Sequence, residues 1–394
     1  MSRRARISRA LALERNATLV AFVIVLQSLG EHLWLKFIPK YLESLAAPVL
    51  VIGLYGSLLD LLDGLYQYPG GRVSDRIGRK RALALFIALA ACGYAMYALA
   101  PSWEWVLAGL ALVMAWKGLA GPSMFAVVGD AMPPGQRHMG FTVQSLLKRF
   151  PMALAPILGG LFIAAYGFQG GIRLALWCAV GVSVVALIVL SRVRLETLPH
   201  ERLQLFDVWR TFPRPLRTLL LSDVVVRTCE GLVDVFVVLY VTTIMGISAP
   251  QFGILVAVQM GTALAVYVPA ARLANRIGRK PFVAGTFLAF ALFPLAVIAS
   301  RGFGTLVIAY VIAGLREIGE PARKALIVDL ADPRVRGRTV GLYYLIRSTA
   351  VTPAAAIGAV LWRISPSLPF YLAAAIGVAG TIVFLMTVDE EYAG

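Results

Sequence analysis

Acidic side chains occur inside long apolar stretches of this sequence, where the loss of hydration makes a charge costly. Four of them are candidates to bind and release protons: Glu31, Glu230, Asp234 and Glu320. An ionisable residue within a membrane-spanning stretch is a functional candidate because the chain keeps it despite that cost. The alternative is a structural role for Glu31 and Glu230, as ion-pair partners of Lys117 and Arg316.

Polar and basic side chains in the same stretches could bind a solute. These candidates are Gln27, Trp34, Lys117, Arg149, Arg316, Tyr344 and Arg347. Helical spacing predicts that Gln27, Glu31 and Trp34 share one face of a first helix. Lys148 and Arg149 are adjacent and cannot both face one cleft, and we favour Arg149. A mixture of cations and acids suits an anionic or zwitterionic amphiphile or metabolite.

Two further helical stripes combine acids with arginines. Arg227, Glu230 and Asp234 fall on one stripe, and Arg316 and Glu320 stand one turn apart. An acid held close to cations in an aqueous cleft can exchange a proton as the cleft changes its opening. The pattern therefore predicts proton coupling, with the static ion pair as its alternative.

The composition shows which elements must position these residues. The chain has 394 residues, of which 59% are hydrophobic and 15% charged, and its mean hydropathy is +0.79. These values indicate a membrane protein. The three cysteines are too dispersed for a disulfide framework or a zinc site, and we expect no cofactor and no metal. The net charge of +16 is explained by basic cytoplasmic loops, so nucleic acid is not an expected partner.

Twelve apolar windows are separated by glycine, proline or charged breaks. They lie at about 17–39, 49–69, 82–100, 105–128, 139–166, 172–191, 217–246, 251–270, 281–300, 303–328, 339–362 and 367–388. Basic residues cluster before the first window and after the second, sixth, eighth and tenth, which predicts that both termini are cytoplasmic. The predicted organisation is a basic N-terminus (1–16), a six-helix bundle (17–191), a linker (192–216), a second bundle (217–388) and a tail (389–394).

The two halves of the chain repeat each other. At an offset of 200, Gly53 corresponds to Gly253, and the run Arg76–Lys80 corresponds to Arg276–Lys280. At an offset of 199, other matches include Glu31 with Glu230 and Lys117 with Arg316. A register kept over several windows indicates two homologous six-helix bundles.

A specific motif follows the second window. Residues Gly71–Arg81 read G-R-V-S-D-R-I-G-R-K-R, and a degenerate copy with Asn275 in place of the acid lies in the second half. The motif resembles the G-x-x-x-D-R-x-G-R-K loop of the major facilitator superfamily. The resemblance covers essentially the whole chain. It implies a tight glycine-containing turn at the cytoplasmic face that pairs charges in one conformation and releases them in the other.

The candidate gating residues include this motif and two acid–arginine pairs in matching loops. They are Gly71, Asp75, Arg76, Gly78, Arg79, Asp130, Arg137, Arg276, Asp329 and Arg336. A purely topogenic role is the alternative. It explains the cations of the motif, but not the spacing of its glycines and acid.

The stretch Ala155–Gly160 partly resembles the G-P-x-x-G-G segment of proton-driven antiporters in the same superfamily, with Ala155 in place of the first glycine. Ordinary small-residue packing explains it equally well.

The resemblance implies an all-helical integral membrane protein of the superfamily's fold, with twelve helices in two pseudo-symmetric bundles. We therefore expect a monomeric, proton-coupled secondary transporter of the inner (plasma) membrane. Its partners would be a small solute, protons and lipid, and export is favoured. The alternatives are uptake of an organic anion, export of cationic drugs, and a non-transporting sensor. No nucleotide-binding or hydrolase motif is present, so an enzyme is not expected.

Overall fold

The chain is predominantly helical in the part that the structure, a computed structural model, describes. That part comprises residues 3–120, 137–193, 209, 212–331 and 336–387. Within a bilayer the backbone must satisfy its own hydrogen bonds, and consecutive apolar residues do so as helices. Eight helical segments among the described residues are long and apolar enough to cross a membrane.

The helices follow one another with short breaks. In chain order they are α1 (Arg3–His32), α2 (Ile38–Ser44), α3 (Val49–Ile77), α4 (Arg79–Ala98), α5 (Trp103–Met114), α6 (Arg137–Ser191), α7 (Arg214–Leu239), α8 (Ala249–Ile277), α9 (Lys280–Ala299), α10 (Phe303–Leu315), α11 (Glu320–Asp329), α12 (Arg336–Val351), α13 (Pro353–Ile364) and α14 (Leu368–Thr387). A 3-10 turn (Leu35–Phe37) precedes α2, and π turns (Ala115–Leu119 and Tyr240–Ile244) follow α5 and α7.

Each of the twelve predicted windows falls mainly on helix in its described residues. The fifth and sixth windows together form α6, which bends at Gly167, where φ is 73°. The first helix differs at both ends from the predicted window 17–39, because α1 begins at Arg3 and ends at His32. The N-terminal residues from Arg3 onward therefore extend the first helix.

The predicted turn of the charged motif is shorter than expected. Gly71 and Asp75 are part of α3, which continues to Ile77. Gly78 alone breaks the helix, with φ 86°. Gly278, its counterpart 200 residues later, does the same with φ 98°. A residue with a side chain rarely adopts this conformation, so glycine is needed at both junctions.

The chain forms two compact units. The first contains residues 1–35 and 65–201, and the second contains residues 36–64 and 202–394. In the first unit, glycine allows the π turn to approach α3, since a Cβ added at Gly118 would lie 2.6 Å from the Cβ of Tyr66.

Close helix packing in the second unit also depends on glycine. A Cβ at Gly53 of α3 would lie 2.5 Å from the Cβ of Ala359 and 2.7 Å from the carbonyl oxygen of Ala355, both on α13. A Cβ at Gly231 of α7 would lie 2.9 Å from the Cβ of Ala354. Small residues at helix interfaces allow backbones to approach closely in a membrane. This packing holds α7, which carries three charged residues of the candidate site, against α13.

Candidate functional site

Seven charged side chains form the core of one ionic cluster in the second unit, and at its exposed edge Nζ of Lys324 lies 3.8 Å from Oε2 of Glu320. The seven are Asp223, Arg227 and Glu230 on α7, Arg316 after α10, Glu320 and Arg323 on α11, and Arg347 on α12. Four guanidinium groups thus share three carboxylates. Such a group within apolar helices is retained at a cost in desolvation, which marks it as the candidate functional site.

Arg323 is the buried centre of the ionic cluster. Its side chain is 2% exposed, and its Nη1 donates to Asp223 Oδ2 at 2.5 Å. Its Nη2 donates to Glu320 Oε2 at 2.9 Å. The hydroxyl of Tyr343 donates to the same Asp223 oxygen at 3.1 Å. Arg323 therefore fixes two acids from two helices.

The more exposed side of the cluster is organised around Glu230. Arg227 Nη1 donates to Glu230 Oε2 at 2.7 Å, and Arg316 Nη1 donates to Glu230 Oε1 at 3.3 Å. Arg227 also donates through Nη2 to Glu320 Oε1 at 2.6 Å. Arg347 Nη1 lies 3.5 Å from Asp223 Oδ2.

Aromatic rings hold three of the guanidinium groups. The Cζ of Arg316 lies 4.9 Å from the ring centres of both Phe290 and Phe293 on α9. The Cζ of Arg227 lies 4.8 Å from the Phe290 ring, and that of Arg347 lies 4.6 Å from the Tyr344 ring. A cation over an aromatic face is attracted by the ring quadrupole, so these contacts orient the arginines.

Local sequence explains how the cluster assembles. Helical spacing places Asp223, Arg227 and Glu230 along one stripe of α7. The helix predicted over 303–328 breaks between Leu315 and Glu320. Arg316 therefore follows the end of α10, whereas Glu320 and Arg323 lie on α11. The backbone N–H of Gly319 in this break donates to Thr286 Oγ1 at 2.7 Å, which anchors the break to α9.

Two buried polar atoms within the cluster lack a hydrogen-bond partner among the described residues. They are Asp223 Oδ1 and Arg227 Nε, which lie 3.8 Å apart. This separation is too long for a hydrogen bond, although the charges attract. In the described ranges no group of His, Cys, Asp or Glu side chains is arranged to hold a metal ion. The guanidinium groups of the cluster can bind an anion, and its carboxylates can bind a proton.

The structure brings several predicted residues together and separates one. Glu230, Glu320, Arg316 and Arg347 are in the ionic cluster, and Tyr344 stacks on Arg347. Asp234, one helical turn after Glu230, binds Lys36 instead, with a distance of 3.0 Å from Nζ to Oδ1. Arg316 and Glu320 were predicted to lie one turn apart on one helix. That prediction is wrong because the helix breaks between them.

The prediction that Gln27, Glu31 and Trp34 share one helix face is wrong for Trp34. α1 ends at His32, and Trp34 is fully buried with its ring 5.2 Å from Tyr94. Gln27 is also buried, where the hydroxyl of Ser183 donates to its Oε1 at 3.4 Å. Both side chains are therefore buried within the first unit.

Three other candidates lie in the first unit. Glu31 and Arg149 are half-buried, and Lys117 is exposed on the π turn after α5. No ion pair of Glu31 is found among the described residues. The alternative role of Glu31 as an ion-pair partner of Lys117 is therefore not seen in the described part of this structure.

The gating candidates have mixed surroundings. Arg279 Nη1 donates to Asp329 Oδ2 at 2.5 Å, which joins the second copy of the motif to the end of α11. Arg76 and Arg276 are exposed, and Arg79 is buried. The side chains of Asp75, Arg137 and Arg336, and all of Asp130, lie outside the described part of the chain.

Sequence reasoning missed three members of the site. Asp223 and Tyr343 were not singled out as site residues, and Arg323 was overlooked although it lies inside the tenth predicted window. Helical spacing could have identified two of them, because Arg323 follows Glu320 by three residues and Asp223 precedes Arg227 by four, and residues so spaced are neighbours on a helix.

Comparison with known proteins agrees with this architecture. A family model described as Major Facilitator Superfamily matches residues 20–226 and 219–394. The uncharacterised MFS-type transporter MJ1317 of Methanocaldococcus jannaschii is 22% identical over 95% of both chains. The chloramphenicol efflux pump Rv0191 of Mycobacterium tuberculosis is 25% identical over 89% of this chain and 86% of its own length.

A solved structure shows the same fold. A mutant form of the nucleoside transporter NupG superposes with a TM-score of 0.81 at 11% identity, covering 95% of this chain and 100% of that one. The described part of the chain shares this all-helical fold, and the matched family consists of transporters, not enzymes. This multi-pass membrane protein therefore belongs to the major facilitator superfamily.

Proposed function

We propose that this protein is a proton-coupled secondary transporter that moves an anionic or zwitterionic amphiphilic solute by alternating access, with export favoured. The observation that carries the proposal is the ionic cluster of α7, α11 and α12, in which four arginines share three carboxylates. In a secondary transporter, charges kept at such a desolvation cost are expected at the solute and ion pathway.

The arginines support an anionic group on the solute. Guanidinium groups match carboxylates and phosphates in shape and charge. A cationic drug at the cluster would approach Arg227, Arg316 and Arg347 and be repelled by each of them. Export of cationic drugs is accordingly the weaker alternative, in which these arginines would serve only as partners of the acids.

The pairing of carboxylates with the arginines that would bind the solute supports proton coupling. Glu230 faces Arg227 on its own helix and Arg316 after α10, and Asp60 of α3 also approaches α7 near Gly231. A proton on Glu230 would weaken its hold on both arginines, so protonation and anion binding would be linked. Glu31, at the matching position in the first half, is the second candidate. Asp234 and Glu320 follow, because Asp234 is paired with Lys36 and Glu320 with Arg323.

The energy source and direction rest on the sequence and on relatives. No nucleotide-binding loop is present, so an ion gradient is the expected source. One relative is named as a chloramphenicol efflux pump, which favours export. We place the protein as a monomer in the inner membrane with both termini in the cytoplasm. Proton-coupled uptake of an organic anion is the alternative.

Flux in proteoliposomes tests this function. The purified protein would be offered anionic and cationic amphiphiles of similar size, with and without an imposed pH gradient. The proposal predicts that the gradient drives movement of the anions and not of the cations. Gradient-driven transport of cations alone would reject it in favour of the cationic exporter.

A further inference from the structure

We propose that Arg227 and Arg316 form a carboxylate-binding site in which Glu230 is an internal occupant, and that a carboxylate of the solute takes its place during transport. This inference deepens the proposed function and rests on it for the identity of the site. It names the recognised group as a carboxylate, and it separates Glu230 from the other acids of the ionic cluster.

The two arginines converge on one carboxyl group. Nη1 of Arg227 donates to one oxygen of Glu230 at 2.7 Å, and Nη1 of Arg316 donates to the other oxygen at 3.3 Å. A free carboxylate has the same two oxygens at the same separation. It could therefore accept both hydrogen bonds without any change in the positions of the donors.

Both arginines have contacts that do not involve Glu230. Arg227 is held by Glu320 at 2.6 Å and by the Phe290 ring. Arg316 is held through its Nε by the carbonyl oxygen of Ala313 at 3.0 Å and by the rings of Phe290 and Phe293. The donors therefore stay in place when Glu230 leaves, and a site that is already organised loses little entropy on binding.

Glu230 is the acid of the cluster that can be displaced. Its side chain is 28% exposed, compared with 8% for Glu320 and 1% for Asp223. Glu320 accepts from both Arg227 and Arg323, and Asp223 accepts from Arg323 and Tyr343. Removing either of these acids from its place would deprive the buried Arg323 of a partner, whereas Glu230 can move toward the more exposed side.

Chemical rescue by formate tests the site directly. In full-length Glu230→Ala protein in lipid nanodiscs, the two arginines lack their shared carboxylate, and formate is small enough to replace it. We expect formate to raise the Tm of this variant along a saturating curve, by at least twice the shift seen in the wild type. Chloride at equal ionic strength provides the salt control, and sulfate tests whether the site prefers a planar carboxylate.

Asp234→Ala is the matched control, because Asp234 lies on the same helix and binds Lys36, which is not part of the ionic cluster. Formate should not stabilise that variant beyond the wild type. Adding Arg316→Ala to Glu230→Ala should abolish the rescue. If Glu230→Ala does not fold, Glu230→Ser leaves a similar space and is tested in its place.

A formate effect equal in the wild type and both single variants would overturn the inference, as would an equal effect of chloride. The result is independent of transport. Rescue without gradient-driven anion flux would retain the carboxylate site and reject the proposed function. Gradient-driven anion flux without rescue by formate would retain the proposed function and reject the carboxylate site.

Discussion

Replacing Arg323 with methionine should destabilise the protein strongly. Arg323 is 2% exposed and binds two carboxylates, Asp223 at 2.5 Å and Glu320 at 2.9 Å. Methionine fills much of the same volume but removes both ion pairs, so two buried carboxylates lose a partner. Breaking a buried pair by removing one member costs about 3–5 kcal/mol, because the remaining charge is uncompensated.

The loss of unfolding free energy distinguishes a buried ion pair from an exposed one. Lys36 and Asp234 form an ion pair at 3.0 Å, but their side chains are 34% and 49% exposed. A pair of that kind contributes about 0–1 kcal/mol. Lys36→Met is therefore the matched control, since it also replaces a paired cation with methionine but at a more exposed position.

The assay is reversible unfolding in mixed micelles, followed by circular dichroism. The double variant Arg323→Met, Asp223→Leu should be less unstable than the sum of its two single variants, with a coupling energy of about 0.5–3 kcal/mol. A loss within about 1 kcal/mol for Arg323→Met, similar to that of Lys36→Met, would refute the structural role of this arginine. Strict additivity in the double variant would refute its pairing with Asp223.

Three further substitutions test packing, solute charge and gating. Gly53→Leu should cost about 1–3 kcal/mol in unfolding free energy because α13 leaves no room for a side chain. The control is Gly261→Leu, because no atom of another described element lies within 4 Å of a Cβ added at Gly261. Equal losses in the two variants would contradict this packing. Arg316→Ala should weaken equilibrium binding of an anionic solute by roughly tenfold or more, since a desolvated contact is worth ~1.5–3 kcal/mol. Lys117→Ala should act in the same direction but less strongly, because Lys117 is exposed. A neutral analogue is the control, and equal weakening of both ligands would contradict a role in charge recognition. Asp75→Asn should increase the accessibility of introduced cysteines from the cytoplasm, and unchanged accessibility with wild-type flux would exclude it from the gate.

The fold could be predicted because the membrane imposes one dominant constraint. Apolar windows of helical length indicate spanning helices, and the repeat at an offset of 200 indicates two bundles. The repeat extends to the helix junctions, because Gly78 and Gly278, 200 residues apart, both adopt positive φ. The extent of each helix was less predictable: the motif Gly71–Arg81 was expected to form a turn, yet α3 continues as far as Ile77. Helix propensity and packing decide such ends, and neither follows from hydropathy.

The site could be predicted only in part. Charged residues within apolar windows pointed to Glu230, Arg316 and Glu320, which do meet in the ionic cluster. Pairing between distant helices is not encoded in local spacing, so the link from Arg323 to Asp223 was missed. Helical periodicity was also extended too far. Trp34 was assigned to a helix face although the chain leaves the helix after His32 and buries the indole among tyrosines.

Transport driven by a pH gradient, measured for Glu230→Gln in proteoliposomes, tests directly whether Glu230 carries the coupled proton. A neutral amide cannot take up and release a proton, so we expect no accumulation of the anionic solute under an imposed pH gradient. Exchange of labelled for unlabelled solute at constant pH should remain measurable, which separates coupling from binding and movement. We expect the first activity to be lost and the second to be retained. Accumulation at the wild-type level in this variant would contradict the assignment of Glu230 as the coupling residue.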